Sequence, residues 1–316
     1  MFELIKDPMQ KIPPSIKKYV DKNIACPVAL IGCRATDPKN SLECCEYDLA
    51  IFSEGALEHE DKFLRIGDHN IELINFSANL RKNIIAMKGM IIVKDFAASY
   101  PFVPSSHAGL FQQSFNYSSY ANALTAFGKK AIVGSLFSYD KIESAASKNL
   151  ILASMWLKIS AYDFLEGILA LAGYRPMPLH ELNQIRNLNF EEQNISNGIK
   201  VALTCIGVER ATRSTISRSS SALLQLYSED YDKELVIMKA RHLLKIGMLP
   251  DCYYYLGKMA RKVLVNKDGS FFNSYSKLVQ MSMDLSIDAP QIQKLQLELF
   301  KTAKNVLKNY RTITVA

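Results

Sequence analysis

Hydrophobic and polar positions alternate in two different rhythms along this chain, and the change falls near residue 140. Before it, apolar residues come in short runs, "CPVALIG", "YDLAIF", "FLRIGDHNIELINFS" and "GMIIVKDF", separated by polar turn residues, which is the spacing of β-strands. Helices are expected among them from Pro14 to Asn23 and near Leu80 to Lys88. From about Ile142 onward apolar residues recur at threes and fours, as in Leu150, Ala153, Leu157, Ala161, Phe164, Ile168 and Leu171. That spacing predicts successive helices over roughly 143–172, 191–224, 229–247, 250–265, 272–284 and 288–308. Gly173, Gly247 and Pro250 supply stops, and Asp288 before Pro290 supplies a cap and a first turn. The pattern implies a mixed α/β (α+β) domain over 1–140 followed by an all-α helical bundle over 141–316. Residues 98–123, rich in Ser, Tyr, Asn and Pro and weakly periodic, read as a long connection or a lid.

Composition adds bounds. The 316 residues suffice for two cores, and 48% apolar with 22% charged residues is ordinary globular usage. The start, "MFELIKDPMQ", lacks the basic-then-apolar order of a signal peptide. The longest apolar run, "NLILASMWLKISAYDFLEGILALAGY", is interrupted by Lys158, Asp163 and Glu166, so no membrane span is expected and a cytoplasmic location is the default. Cys26, Cys33, Cys44, Cys45, Cys205 and Cys252 form no CxxC pair and no zinc spacing; they read as reduced, mostly buried thiols. The net charge of +7 is lopsided: +8 from Lys200 to the end and −1 before it. The basic part could attract a polyanion, yet it has no dense basic run, so solubility is the simpler reading.

Candidate chemistry gathers in "ECCEYDLAIF". On a strand Glu46 and Asp48 share a face, while Tyr47, Leu49 and Ile51 point the other way. Two crowded carboxylates repel unless a cation or solvent separates them, and a divalent metal is one solution. A third acid, Glu72, alternates with Ile74 and Phe76 on one face of another strand in "IELINF", which presses it toward an otherwise apolar layer. Three carboxylates on neighbouring strands can hold Mg²⁺ ions for in-line phosphoryl or nucleotidyl transfer. Upstream, Gly32 ends an apolar strand, where a glycine lets backbone amides approach a phosphate.

With these residues in view, "LIGCRATDPKNSLECCEYDLAIF" followed by "IELINF" resembles the nucleotidyltransferase superfamily, the fold shared by kanamycin nucleotidyltransferase, the minimal nucleotidyltransferases and polymerase beta. The resemblance covers about residues 25–95. It implies a Gly-Ser turn that binds a triphosphate, here Gly32 and Cys33, an acid pair that holds Mg²⁺, here Glu46 and Asp48, and a third acid, here Glu72, as ligand or base. It implies as well a Mg²⁺-bound NTP substrate, with ATP foremost, and transfer of a nucleoside monophosphate to an acceptor hydroxyl on a small molecule, a protein or an RNA end. The chain departs from the pattern in that Cys33, a weaker donor to phosphate, replaces Ser, the spacer before the acids is a little longer than usual, and the first acid is Glu. Arg34 and Lys39 are candidates to compensate electrostatically. The alternative from another class is a nucleotide-binding or partner-docking protein that has lost turnover.

The helical part, in "KISAYDFLEGILALAGYRPMPLHELNQIR", resembles in rhythm the HEPN domains that accompany several such enzymes. Arg175 and His180 satisfy the loose Arg-x4-His pattern by which some of these cleave RNA, which makes a HEPN-type ribonuclease the second alternative. Pro176 and Pro178 lie between them and exclude a shared helix face. Arg210 and Arg213 are expected on one helix face, Tyr253, Tyr254 and Tyr255 as packing residues, Trp156 and Tyr162 in the core or a seam, and Arg241 with His242 on the surface. Lys94 and Asp95 read as a strand end.

Overall fold

The computed structural model describes residues 12–24, 28–36, 41–53, 62–77, 117–190, 192–227 and 230–310. The expected helix near 80–88, the run "GMIIVKDF", most of the 98–123 segment, Cys26 and Lys39 lie outside them. The chain divides after Ala123 into two compact units. It is mostly helical, with a small mixed sheet near its beginning.

In the first unit, helix α1 (Pro14–Asn23) begins with a proline, whose fixed φ and missing N–H suit a first turn. It buries Ile16 and Val20, one helical turn apart. Strands β1 (Val28–Ile31), β2 (Tyr47–Ser53), β3 (Lys62–Ile66) and β4 (His69–Ser77) form one sheet in the order β1-β2-β4-β3. β1 runs antiparallel to β2, β2 parallel to β4, and β3 antiparallel to β4. The single apolar run expected over 63–77 is thus a hairpin, broken at Gly67 and Asp68, where Gly67 takes a positive φ of 59°. Tyr47, Leu49 and Ile51 of β2 join Val28, Leu30, Ile71 and Leu73 and the α1 residues in one core. The alternation of strand side chains therefore sends Asp48 and Glu72 to the opposite face, as the period-2 pattern requires. A four-residue helix, α2 (Cys33–Thr36), follows β1 directly.

The second unit is built from α3 (Tyr117–Ala146), which starts just before the division, α4 (Leu150–Leu171), α5 (Glu181–Arg186), α6 (Gln193–Ile206), α7 (Arg213–Leu226), α8 (Asp230–Lys245), α9 (Leu249–Leu264), α10 (Gly269–Ser274), α11 (Ser276–Ser282) and α12 (Ala289–Asn309). Three expected helices are divided, the 272–284 run among them, which breaks at Tyr275 into α10 and α11. The 143–172 run splits at Asn149, whose side chain caps α4 by accepting from the Leu152 amide at 3.1 Å. The 191–224 run splits at Gly207, which takes a left-handed φ of 78° and ends α6. A 3₁₀ turn over Val208–Arg210 follows, and Thr212 then starts α7 through a reciprocal capping box with Thr215. Arg210 and Arg213 consequently lie in different elements rather than on one helix face. The weak periodicity before residue 140 concealed α3, whose small and polar residues give no sharp apolar stripe. Asp288 caps α12 with Pro290 in its first turn, as expected.

α4 is buried along most of its length, with the interrupting Lys158 and Asp163 buried and Glu166 half-buried. Asp163 pairs with Arg261, which also reaches Glu166 at 3.3 Å. Lys258 sits between Glu166, at 2.6 Å, and Glu181, at 2.6 and 2.8 Å, and Tyr254 donates to Glu181 at 2.6 Å. These carboxylates and the cations beside them are paired, the condition under which a core tolerates such charges. Burial pushes the Glu181 carboxyl up against the pull of Lys258. Burial acts the same way on Glu166, yet Lys258 and Arg261 together hold that carboxyl below its ordinary value. Among the described residues no helix is long and apolar enough to cross a membrane.

Candidate functional site

The sheet register brings the three acids together. In the β1–β2 ladder Ile31 lies opposite Asp48, and in the β2–β4 ladder Asp48 lies opposite Glu72. Glu46 immediately precedes β2 and shares Asp48's side of the strand. One carboxylate oxygen from each of Glu46, Asp48 and Glu72 falls within 4.8 Å of the other two, and all three residues are half-buried. Such a set of hard oxygen donors fits a hard divalent cation: ligands about 2.1 Å from Mg²⁺ lie within about 4.2 Å of one another, a small side-chain adjustment from the spacing here.

Gly32 follows β1 and is buried against this cluster, with φ at +78°. A Cβ built on it would overlap the Asp48 carboxylate and lie 2.9 Å from Asp48 Cγ. Its lack of a side chain is thus what allows the turn and the acid to coexist.

Arg34 does something different from what its charge suggests. Its guanidinium donates to the Cys45 carbonyl at 3.0 and 2.7 Å, to the Glu43 carbonyl at 3.2 Å and to the Leu42 carbonyl at 3.4 Å. It also stacks 4.3 Å from the Tyr47 ring centroid. The side chain clasps the 42–45 loop that leads into Glu46 and Asp48, so in this state it positions the acids. Cys33 is half-buried beside them. A hydrogen bond with the Cys45 side chain, then burial, then the charges of Asp48 and Glu46 push its thiol far above the ordinary range.

The other residues singled out by the sequence lie in the second unit. Arg175 is in the loop after α4 and His180 is the buried residue preceding α5. The loop is fastened by Gln184, which donates to the Arg175 carbonyl at 2.8 Å and accepts from the Met177 amide at 3.0 Å. No helix carries both residues. Tyr162, Tyr254 and Tyr255 are core residues, and Trp156 is half-buried with Lys141 Nζ 3.8 Å from its ring centroid. Tyr253 is more than packing: its hydroxyl donates to Asp284 at 2.9 Å and accepts from Lys158 at 3.0 Å. That polar cluster, with Arg210 and Arg218 also on Asp284 at 3.3 and 2.8 Å, escaped the sequence reading. Its one visible trace was a lysine inside an apolar helix.

The acid cluster and glycine turn define a class of site, a carboxylate cradle on a mixed sheet whose donors fit a divalent cation. No known protein family, curated protein or solved structure matches this chain.

Proposed function

We propose that the first unit is a Mg²⁺-dependent nucleotidyltransferase that moves a nucleoside monophosphate from an NTP, ATP foremost, to an acceptor hydroxyl. The observation that carries this reading is the convergence of Glu46, Asp48 and Glu72 oxygens within 4.8 Å beside a glycine turn. Glu46 and Asp48 would hold the ion, which when bound supplies charge neutralisation on the triphosphate and polarisation of the phosphoryl oxygens. Gly32 leaves the room that Asp48 needs beside the turn, where a Cβ would meet its carboxylate, so turn and acid can face the phosphate chain together. Glu72, opposite Asp48 in the ladder, takes the proton of the attacking hydroxyl or completes the ligand set. Arg34 keeps the loop before the acids in place through its three carbonyl acceptors.

Titration calorimetry with ATP, CTP, GTP and UTP, with and without Mg²⁺, on the wild type and Asp48→Asn tests this reading. Asp48→Asn keeps the side-chain volume while removing a ligand charge. The expected result is Mg²⁺-dependent binding that weakens about 100-fold in the variant, equivalent to about 2.7 kcal/mol, with the melting temperature nearly unchanged. If no nucleotide binds to either protein, the enzyme reading fails.

A second reading has its own support: a protein of this kind that binds nucleotide without turning it over. The Cys33 thiol is engaged with Cys45, and Arg34 with the loop, so two groups expected at the triphosphate are committed to the protein itself. Metal-dependent binding without pyrophosphate release across a panel of small-molecule, protein and RNA acceptors would favour it.

A further inference from the structure

The second unit contains a cavity of about 280 Å³ lined from α4, α6, the 3₁₀ turn, the loop after α11 and α12. Its wall runs from Lys158, which is 2% exposed, to the exposed Thr204, Glu209 and Gln291, so it opens to solvent. At the small end of the roughly 300–1,000 Å³ typical of ligand sites, it suits a compact molecule.

Lys158 Nζ donates to the Tyr253 hydroxyl at 3.0 Å and to the Met283 carbonyl, and its interaction with the Tyr253 ring completes its contacts. Both acceptors are neutral, and among the described residues no carboxylate forms an ion pair with it. The carboxylate nearest in the cluster, Asp284, is already taken by Tyr253, Arg210 and Arg218. Arg210 additionally donates to the Asp284 carbonyl at 2.8 Å, and Asp284 is held at a left-handed φ of 47°. An ammonium carries three N–H groups, and this setting offers two acceptors. A neutral amine carries two N–H groups and a lone pair, so the same two acceptors satisfy it and the lone pair is left over. Burial, and then the charge of Arg210, bring Lys158 down to about 7, against the opposing pull of Asp284 and Glu209.

We propose that Lys158 is a nucleophilic amine that captures a small aldehyde or ketone in this cavity as a Schiff base. The Nζ lone pair attacks the carbonyl carbon; a C–N bond forms and the π electrons pass to oxygen, which is protonated to a carbinolamine. The proton lost from nitrogen leaves along its hydrogen bond to Tyr253, whose own hydroxyl faces Asp284. Return of a proton to the carbinolamine hydroxyl expels water and leaves the imine, so amine plus carbonyl gives imine plus water with no oxidant or reductant. Leu157, Leu285 and Leu295 line the apolar part of the wall, and Ser154, Arg210 and Gln291 are among its polar residues, which suits a short chain that carries polar groups.

The test is reductive trapping on the full chain: propanal and, separately, pyruvate, each with cyanoborohydride at pH 7, followed by peptide mapping over time. At that pH an ordinary lysine is neutral in only about 1 molecule in 2,500. Lys158 is expected to label at least about 10-fold faster than exposed lysines, even after allowance for restricted access. The advantage should vanish in 8 M urea (a chosen denaturing condition, about the strength that unfolds most domains). Tyr253→Phe keeps the amine and the cavity but removes one acceptor, and should slow labelling at Lys158 about 10-fold relative to the other lysines. Lys158→Arg should remove the fast phase. If Lys158 stays unlabelled while surface lysines react, or labels no faster than they do, the proposal is overturned, and the wild-type map decides this without any variant.

Discussion

Gly32→Ala is expected to abolish measurable Mg²⁺-dependent nucleotide binding and to lower stability by about 2–3 kcal/mol. Two costs combine. A left-handed backbone with a Cβ costs an alanine roughly 1–2 kcal/mol, and φ here is +78°. The second cost is local to the site: the new methyl would overlap the Asp48 carboxylate and press within 2.9 Å of its Cγ. Asp48 cannot retreat without leaving Glu46 and Glu72, so the cluster opens. Gly67→Ala separates the two costs, since Gly67 has φ +59° with nothing within 4 Å of a built Cβ. It should lose about 1 kcal/mol and keep binding intact. Denaturant unfolding and calorimetry on the three proteins check this. Equal binding in the two variants would remove the argument that Gly32 is empty for the sake of Asp48.

Lys258→Met is expected to be the most destabilising exchange in the helical unit, at about 3–5 kcal/mol at pH 7. Lys258 holds Glu166 and Glu181 at once, and Glu181 is fully buried. Without the ammonium, Glu181 keeps the Tyr254 hydroxyl as a neutral donor, and an uncompensated charge remains in the core. The pH dependence gives an independent check. In the variant Glu181 loses its cation while Glu166 keeps Arg261, so the Glu181 carboxyl is pushed further above its unfolded pKa. A carboxyl raised in this way destabilises the fold above its unfolded pKa, about 4.3 for Glu, and costs nothing below it. The deficit of Lys258→Met should therefore be largest near neutrality and shrink as the pH falls toward about 4. Lys258→Met with Glu181→Gln should recover at least about 2 kcal/mol of it, because the amide can still accept from Tyr254 and carries no charge. A constant deficit between pH 7 and pH 4.5, followed by urea unfolding, would mean that packing of the lysine stem and not its charge accounts for the loss.

How far the sequence could be read depended on whether a pattern was local. The alternation through "EYDLAIF" needed nothing beyond strand geometry to assign Leu49 to a core and Asp48 away from it. In "IELINF" the same alternation reads as pressing Glu72 toward an apolar layer with Ile74 and Phe76, whereas the core takes the other face, with Ile71 and Leu73. Pro14, Asn149, Thr212 and Asp288 act on amides two or three residues away or at their own helix start, and of these the Pro14 and Asp288 boundaries were legible in advance. Gly207 was not, because a glycine inside an apolar period looks the same whether the helix continues or turns left-handed. The hairpin at Gly67 was hidden inside one long apolar run for a similar reason.

Long-range placement was a different matter. That Asp48 faces Glu72 follows from β4 returning between β2 and β3, a choice of strand order that no spacing encodes. That Arg34 grips the 42–45 carbonyls, rather than reaching outward, was settled by loop geometry. The charges in "WLKISAYDFLEG" show the division most plainly. As sequence, Lys158, Asp163 and Glu166 establish that this apolar helix is unsuited to a membrane, and that conclusion needs only their presence. Their partners, Tyr253, Arg261 and Lys258, are about a hundred residues further on, and only the packing of α9 against α4 made one lysine a member of a cavity wall and two acids members of a buried ion network. The sequence by itself determined which side chains face a core and which residues could bear charge chemistry, because those depend on period and residue type. The tertiary structure decided which charges meet, because a buried ion is stable only beside a partner that the fold, and not the neighbouring sequence, delivers.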